Sequence, residues 1–124
     1  MEFRFAHNCL YVQDLQRSVQ FYEQALGLKP VRTMRPGDMD IQLVFLSDGK
    51  TPHELELGCP AGQDKPFDLG DNQFHIAFSV EDMAAARALH ESMDIIFRDP
   101  AEEPVYFIHD PDGYVIEIIP AEKE

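Results

Sequence analysis

The chain is built as an internal repeat. The segment HNCLYVQDL, which begins at His7, aligns without a gap with HIAFSVEDM, which begins at His75. Later in each half, FLSD in the first copy matches FIHD in the second, and Glu56 falls close to Glu117. Each half therefore carries one early histidine and one late glutamate. Two imidazoles and two carboxylates brought to a shared axis are good ligands for a divalent cation, so the repeat predicts a metal enzyme.

Both halves are predicted to fold as β-α-β-β-β. Alternation of polar and apolar residues predicts the strands, and Asp14 and Gly27 are typical of the start and stop of a helix. The first half is expected to contain strands at 5–12, 29–32, 41–46 and 54–57, and a helix at 15–26. The second half is expected to contain strands at 74–80, 95–98, 105–109 and 114–119. Its helix follows Asp82, and its buried stripe is predicted to be Met83, Ala86, Leu89 and Met93.

The 124 residues are predicted to form a single domain of two modules. The first module covers about 1–62 and the second about 73–124. The connector at about 58–72 is rich in proline and glycine, which favours a loop. The sequence DPDG at 110–113 predicts a tight turn before the last strand.

Composition excludes several classes of partner. The formal net charge is −13, which argues against nucleic acid and against an anionic membrane surface, since both attract clustered Lys and Arg. No apolar run approaches the ~18 residues of a membrane-spanning helix, and MEFRFAHNC lacks the features of a signal peptide. We therefore expect a cytoplasmic protein. Cys9 and Cys59 have no short-spaced partner, so neither a disulfide scaffold nor a thiolate metal site is indicated.

The candidate ligands lie opposite strongly apolar rows of their strands. His75, Glu56 and Glu117 each alternate with bulky leucine, isoleucine or phenylalanine residues. If helices cover the apolar rows, the other face has to surround something polar, because unpaired carboxylates are costly to bury. A bound cation would satisfy that face. Glu54 shares a strand face with Glu56, so alternation leaves both as possible ligands.

The other histidines have simpler interpretations. A lone histidine on a strand is more often a core residue than a ligand, and it is the repeat that favours a role for His7. Glu117 in an apolar strand has few structural reasons to be there, which favours a functional role. We expect His53, His90 and His109 at the surface or in turns, and His53 enters the site only if the strand register shifts.

Three segments carry a family resemblance. The opening HNCLYVQDLQRSVQFYEQALGL, the central FDLGDNQFHIAFSVED and the closing DPDGYVIEII resemble glyoxalase I, the lactoylglutathione lyases of the vicinal oxygen chelate superfamily. The resemblance covers essentially the whole chain and preserves the order of the motifs. It implies an α+β fold in which two βαβββ modules form a cupped mixed sheet around one metal.

The resemblance also implies a ligand set. It makes His7, Glu56, His75 and Glu117 the metal ligands, with Glu56 preferred to Glu54 because its spacing to His75 matches the family better. Two imidazoles and two carboxylates suit a borderline divalent ion. Ni²⁺ or Co²⁺ is expected first, as in short bacterial relatives, and Zn²⁺ second. Related proteins are commonly dimers, so a homodimer is expected.

The implied reaction belongs to methylglyoxal detoxification. A hemithioacetal of methylglyoxal and a thiol, with glutathione expected as the thiol, would be isomerised to a 2-hydroxyacyl thioester. Loss of a proton beside the carbonyl leaves an enediolate, which a divalent cation can chelate. Glu117 is expected to carry the proton between carbons, while Glu56 is mainly a ligand and a second acid–base group for one substrate epimer. The expected class is a carbon–sulfur lyase.

Two positions depart from the pattern of typical bacterial glyoxalase I. Tyr11 and Pro60 stand where an arginine and an asparagine help to hold glutathione. Arg32 or Arg35 is then expected to bind the carboxylates of glutathione, or the thiol is a different one.

Other members of the superfamily remain as alternatives. A CoA-thioester epimerase would place a glutamine where Glu54 or Glu56 stands, and a fosfomycin thiol transferase would use only three protein ligands. An extradiol dioxygenase would use two histidines and one glutamate around ferrous iron, usually in a longer chain. A non-catalytic small-molecule-binding member is disfavoured by the intact set of four ligands.

Overall fold

A computed structural model describes residues 1–122 of the chain. The last two positions of the predicted second module, 123 and 124, lie outside the described residues. The chain divides into two compact units, Met1–Asp68 and a second that begins at Leu69. Each unit is one β-α-β-β-β module with its own sheet, so the predicted α+β repeat is confirmed.

The bounds of the elements agree closely with the sequence pattern. The first unit contains β1 (His7–Tyr11), α1 (Leu15–Leu26), β2 (Lys29–Met34), β3 (Ile41–Ser47) and β4 (Glu54–Pro60). The second unit contains β5 (His75–Val80), α2 (Met83–Ser92), β6 (Ile96–Arg98), β7 (Tyr106–His109) and β8 (Val115–Pro120). The largest difference is β4, which extends into the predicted connector because Gly58 and Pro60 pair with Leu43 and Ile41 of β3.

The two sheets have the same topology. The strand order is β1-β4-β3-β2 in the first unit and β5-β8-β7-β6 in the second. In each sheet the first and last strands of the module are parallel neighbours, and the remaining pairs are antiparallel. A parallel pair requires a long crossover connection, which the helix and the two intervening strands provide. The strand with the predicted glutamate therefore lies beside the strand with the predicted histidine.

Both helices begin where the sequence predicts. The side chain of Asp14 accepts a hydrogen bond from the backbone N–H of Arg17 at 3.1 Å, and that of Asp82 accepts one from Ala85 at 2.9 Å. α1 ends at Gly27, whose φ of 69° is in the left-handed region that glycine adopts at low cost. Neither helix in the described part of the chain is long and apolar enough to cross a membrane.

The predicted DPDG turn leads directly into β8. Oδ1 of Asp110 accepts hydrogen bonds from the backbone N–H groups of Asp112 and Tyr114, both at 2.9 Å. Asp110 is buried, and these bonds give its Oδ1 two donors. Gly113 has a φ of 89°, which closes the turn without backbone strain. The turn fixes the start of the strand that carries Glu117.

The core of the second unit contains a buried polar pair. His90 of α2 is 2% exposed, and its Nδ1 lies 2.7 Å from the hydroxyl of Tyr106. The expectation that His90 lies at the surface is therefore wrong, and so is the expectation that Leu89 is buried, since Leu89 is 44% exposed. The inward face of α2 therefore contains His90, one turn after Ala86, and not the predicted Leu89. The tyrosine hydroxyl gives the imidazole a partner, which makes its burial tolerable.

Candidate metal centre

In the first unit, the predicted histidine and glutamate come together on one face of the sheet. β1 pairs with β4 so that Cys9 lies opposite Glu56, and His7, two residues before Cys9, shares its face. Nε2 of His7 lies 3.3 Å from Oε1 of Glu56. The histidine side chain is 42% exposed and the glutamate side chain only 12% exposed. We call this pair the first half-site, and the sheet face that carries it the site face.

The second unit repeats the arrangement. β5 pairs with β8 so that Ala77 lies opposite Glu117, and His75 stands two residues before Ala77. Nε2 of His75 lies 3.3 Å from Oε1 of Glu117, the same separation as in the first unit. The histidine and glutamate side chains are 46% and 22% exposed. This pair is the second half-site, and its carboxylate is more open to solvent than that of the first.

A phenylalanine supports each half-site. Phe45 lies opposite Glu56 in the pairing of β3 with β4, and Phe107 lies opposite Glu117 in the pairing of β7 with β8. Each ring meets the imidazole of its own unit edge to face, with centroids 5.4 Å apart in the first unit and 6.1 Å apart in the second. This contact limits the rotation of each imidazole, which helps to hold its Nε2 beside the carboxylate.

In each sheet an arginine lies beside the phenylalanine on the next strand. Arg32 lies opposite Phe45 and Arg98 lies opposite Phe107, each just after a register shift in the pairing of its strand. Such a bulge re-aims the following side chain, and here it brings both arginines onto the site face. Their guanidinium carbons lie 3.7 Å and 5.3 Å from the centroids of the phenylalanine rings.

The two arginines differ in their acidic partners. Arg32 donates a hydrogen bond to Oε1 of Glu54 at 2.7 Å, so the alternative ligand Glu54 is held by a cation. In the second unit the corresponding position, opposite His75, is occupied by Val115. Valine cannot accept a hydrogen bond, so Arg98 has no equivalent of this ion pair. Sequence reasoning missed Arg98, although its repeat partner is a signal that could have found it, since PVR in β2 corresponds to IFR in β6.

The donor atoms of each half-site fit a divalent ion. Two ligand atoms ~2.1 Å from one ion and ~90–110° apart lie ~3.0–3.4 Å from each other, and the observed separation is 3.3 Å in both units. Within residues 1–122, however, no group of three or more His, Cys, Asp or Glu side chains lies close enough to hold a metal. The structure therefore brings the four predicted ligands together as two pairs.

A cysteine adjoins only the first half-site. Cys9 lies directly opposite Glu56 of β4. Although Cys9 as a residue is exposed, partial desolvation of the sulfur, followed by the neighbouring carboxylate of Glu56, raises the pKa of the thiol to about 12. The thiol is therefore protonated at neutral pH.

Arg35 lies at a cleft in the first unit. The cleft has a volume of about 390 Å³, and polar residues including Gln42 and Asp40 line it together with Pro60. The guanidinium of Arg35 donates to Oε1 of Gln42 at 3.3 Å.

Tyr11, which stands where typical bacterial glyoxalase I has an arginine, packs over Gly58 on the site face. A Cβ atom at that glycine would lie only 2.8 Å from the tyrosine ring.

Two other histidines lie outside the half-sites. Nε2 of His53 is 2.7 Å from Oδ1 of Asn8, so this ring is bound away from the candidate ligands. His109 ends β7, as the predicted strand at 105–109 implies, and lies opposite Val115 on the site face. Its ring stacks on Phe97 at 3.7 Å, and burial lowers its pKa.

Known proteins with similar sequence or structure cover both units. Residues 4–118 match the family described as the Glyoxalase/Bleomycin resistance protein/Dioxygenase superfamily. A lactoylglutathione lyase of Escherichia coli O157:H7 is 36% identical over 94% of this chain and 91% of its own length. The lactoylglutathione lyase of Haemophilus influenzae is 36% identical over 91% of this chain and 89% of its own length. The structure of a trypanothione-dependent glyoxalase I from Leishmania major aligns with a TM-score of 0.85 at 31% identity, covering 96% of this chain and 87% of that one.

Proposed function

The chain belongs to the Glyoxalase/Bleomycin resistance protein/Dioxygenase superfamily, and we propose that it is a metal-dependent lactoylglutathione lyase. The family, the fold and the class of enzyme predicted from the sequence are confirmed by these relatives. The observation that carries the proposal within the molecule is the repeated half-site. A histidine and a glutamate stand at the same separation in both units.

The family implies a divalent metal cofactor, and we propose its ligands. His7 and Glu56 would supply one half of the ligand set, and His75 and Glu117 the other half. Glu56 is preferred to Glu54 because the latter is bound by Arg32. Two imidazoles and two carboxylates suit Ni²⁺ or Co²⁺ as the first choice and Zn²⁺ as the second. When bound, the cation stabilises the negative charge that develops on the substrate oxygens.

Proton transfer is assigned to the carboxylates. Glu117 takes a proton from one carbon of the hemithioacetal and returns it to the next, which yields a 2-hydroxyacyl thioester without any redox cofactor. Its side chain is more exposed than that of Glu56, which supports the assignment because a base needs access to substrate. Glu56 acts mainly as a ligand and serves as the second acid–base group for one epimer.

Cations on the first and second units are proposed to hold the thiol. Arg35 lies at the cleft of the first unit, and Arg98 is free of the carboxylate that neutralises Arg32. We expect Arg35 and Arg98 to bind carboxylates of the thiol more strongly than Arg32 does. Glutathione is the first thiol to assay, because the bacterial relatives are named for its lactoyl thioester. The Leishmania relative is described as trypanothione-dependent, so other thiols belong in the same assay.

The decisive experiment is an add-back assay. Protein stripped of metal is incubated with methylglyoxal and glutathione, and with other thiols, after addition of Ni²⁺, Co²⁺ or Zn²⁺. Formation of a 2-hydroxyacyl thioester, detected by its ultraviolet absorbance, is the expected result with at least one metal. No product with any metal and any thiol would remove the lyase assignment.

We also propose an oligomeric state and a cellular location for the protein. We propose a homodimer, as expected from the sequence, and light scattering on the eluted peak of a sizing column measures its mass. A mass of one chain at micromolar concentration would contradict the dimer. The cytoplasmic location expected from the sequence stays a prediction, which cell fractionation tests.

A further inference from the structure

Two stacked rings lie on the site face of the second unit. The ring of Phe97 lies flat on the imidazole of His109, with centroids 3.7 Å apart and ring planes 1° apart. We call these two rings the aromatic shelf.

The bulge in β6 accounts for the position of Phe97. Ile96 pairs with Ile108 and Arg98 pairs with Phe107, so Phe97 is the extra residue between them. The two residues at a bulge oppose a single residue of the neighbouring strand. Here that residue is Phe107, whose ring centroid lies 6.3 Å from that of Phe97. Two consecutive residues of β6, one aromatic and one cationic, therefore lie on the site face.

The aromatic shelf adjoins the second half-site and is open on one side. Val115 lies opposite His75 in β5 and opposite His109 in β7, so the two histidines belong to one row with a valine between them. Neighbouring strands lie ~4.8 Å apart, which puts the backbones of the two histidines ~10 Å apart. Phe97 is 45% exposed although His109 covers one face of its ring, so the other face is available to a ligand.

The first unit is polar at the same place. Val31, Ser47 and Glu54 take the positions that Phe97, His109 and Val115 take in the second unit. Glu54 lies opposite Ser47 and accepts a hydrogen bond from Arg32 at 2.7 Å. The second unit therefore presents an aromatic surface where the first presents an ion pair.

We propose that Phe97, supported by His109, is a specificity-determining residue that binds the side chain of the 2-oxoaldehyde part of the substrate and favours an aromatic side chain over a methyl group. The inference rests on the proposed lyase function and deepens it, because it names the class of aldehyde that the second unit selects. A ring placed on the open face of Phe97 extends the existing stack, and such aromatic contacts contribute beyond the burial of apolar area. The methyl group of methylglyoxal is too small to cover the aromatic shelf.

The relative turnover of two aldehydes tests the proposal. The ratio of kcat/KM for the hemithioacetal of phenylglyoxal to that for methylglyoxal, with the same thiol, is measured in the wild type and in variants. We expect Phe97→Leu to lower this ratio ~3–10-fold, chiefly through a higher KM for the aromatic substrate. Phe97→Tyr keeps the ring and should keep the ratio, and so should the matched control Val31→Ala in the first unit. An unchanged ratio in Phe97→Leu, or an equal loss in Phe97→Tyr, would overturn the role of Phe97. If Phe97→Leu fails to fold by circular dichroism, Phe97→Met takes its place.

Binding to metal-free protein gives a readout that does not depend on turnover. Mandelate and lactate, the free hydroxy acids of the two products, carry the same carboxylate and differ in the aromatic ring. Proton NMR follows the imidazole resonance of His109, which is identified by its loss in His109→Asn. Mandelate should shift this resonance at a lower concentration than lactate does, and the difference should shrink in Phe97→Leu.

The outcomes separate this proposal from the lyase assignment. A wild type that turns over no substrate with any metal, but still binds mandelate in preference to lactate, would remove the lyase reaction and support the aromatic shelf as a binding site. Equal binding of mandelate and lactate would overturn the proposal. So would a dimer that dissociates in Phe97→Leu without any preference for mandelate in the wild type, because a second copy of the chain would then cover the aromatic shelf.

Discussion

The first and second units place a histidine, a glutamate, a phenylalanine and an arginine at equivalent positions of the site face, whereas the residues on the helix side of the sheet differ. In the first unit the helix buries Phe21 and Tyr22 against a core of leucine and valine side chains. In the second unit the only helix residue that is fully buried is His90, paired with Tyr106. Strand register therefore defines each half-site, and one bulge per sheet adds an arginine to the site face. The packing behind the sheet can change without moving the ligands.

The site faces themselves are not identical. The first carries Cys9, Glu54 and the ion pair of that glutamate with Arg32. The second carries Ala77, Val115 and an arginine without the equivalent ion pair. On the site face of the first unit Arg32 is therefore paired with a carboxylate, whereas on that of the second unit Arg98 and the more exposed carboxylate of Glu117 are more available to a ligand.

The largest expected effect separates the two glutamates. Glu117→Gln should lower kcat by ~10²–10⁴-fold, because the amide cannot accept the proton, while the protein still folds and binds metal. Glu56→Gln should lower metal affinity more than Glu117→Gln does, and should lower kcat less once metal is saturating. Steady-state kinetics with excess metal and chelator competition measure the two effects. Equal losses of kcat in both variants would show that the half-sites are functionally equivalent, and full activity of Glu117→Gln would show that the base is misassigned.

The buried pair of His90 and Tyr106 predicts the next largest effect, a loss of stability. Tyr106→Phe removes the hydroxyl that lies 2.7 Å from Nδ1 of His90 and should destabilise the protein by ~1–3 kcal/mol, the cost of weakening the hydrogen bonding of a buried polar group. Urea unfolding followed by circular dichroism measures the change.

A double variant provides the control for this pair. Tyr106→Phe combined with His90→Phe replaces both partners by apolar side chains of similar size, which should cost less than Tyr106→Phe alone. The single variant His90→Phe completes the cycle, and a double variant that loses the sum of the two single changes would mean that the contact contributes nothing beyond packing.

Much of the fold and of both half-sites follows from the sequence because strands repeat every two residues. Once His75 and Glu117 are placed on strands, alternation fixes the face that each side chain occupies, and the structure keeps those faces. Alternation fails at a bulge. It would put Arg98 on the same face as Ile96, but the register shift between them turns the arginine toward Phe107, so alternation alone does not predict its place on the site face.

The remaining errors have similar physical causes. Glycine and proline at 58–60 predict a loop, but pairing with β3 keeps this segment in a strand. The sequence predicts His90 at the surface or in a turn, because its burial depends on a tyrosine hydroxyl that is distant in the sequence. Only tertiary contacts supply that information, and no local pattern contains it.

The unequal arginines predict an effect on substrate binding. Arg98→Met should raise KM for the anionic thiol substrate about tenfold, which corresponds to the lower end of the ~1.5–3 kcal/mol of a hydrogen bond to a charged group. Arg32→Met should change KM less, because Glu54 already neutralises that cation at 2.7 Å. Initial rates over a range of hemithioacetal concentrations test the difference. A larger effect of Arg32→Met would mean that substrate displaces Glu54 from its ion pair.

The smallest expected effect concerns His109 and the pH dependence of stability. Burial lowers the pKa of His109 below its ordinary value of 6.5, so the folded state disfavours the charged ring. The stability that results is present above pH 6.5 and is lost as the pH falls through the lowered pKa, because the unfolded chain takes up the proton first. His109→Asn should therefore flatten the decline of melting temperature between neutral and mildly acidic pH. Phe97→Leu, which uncovers the stacked ring, should flatten it in part. An unchanged slope in both variants would mean that another group sets the acid sensitivity of the protein.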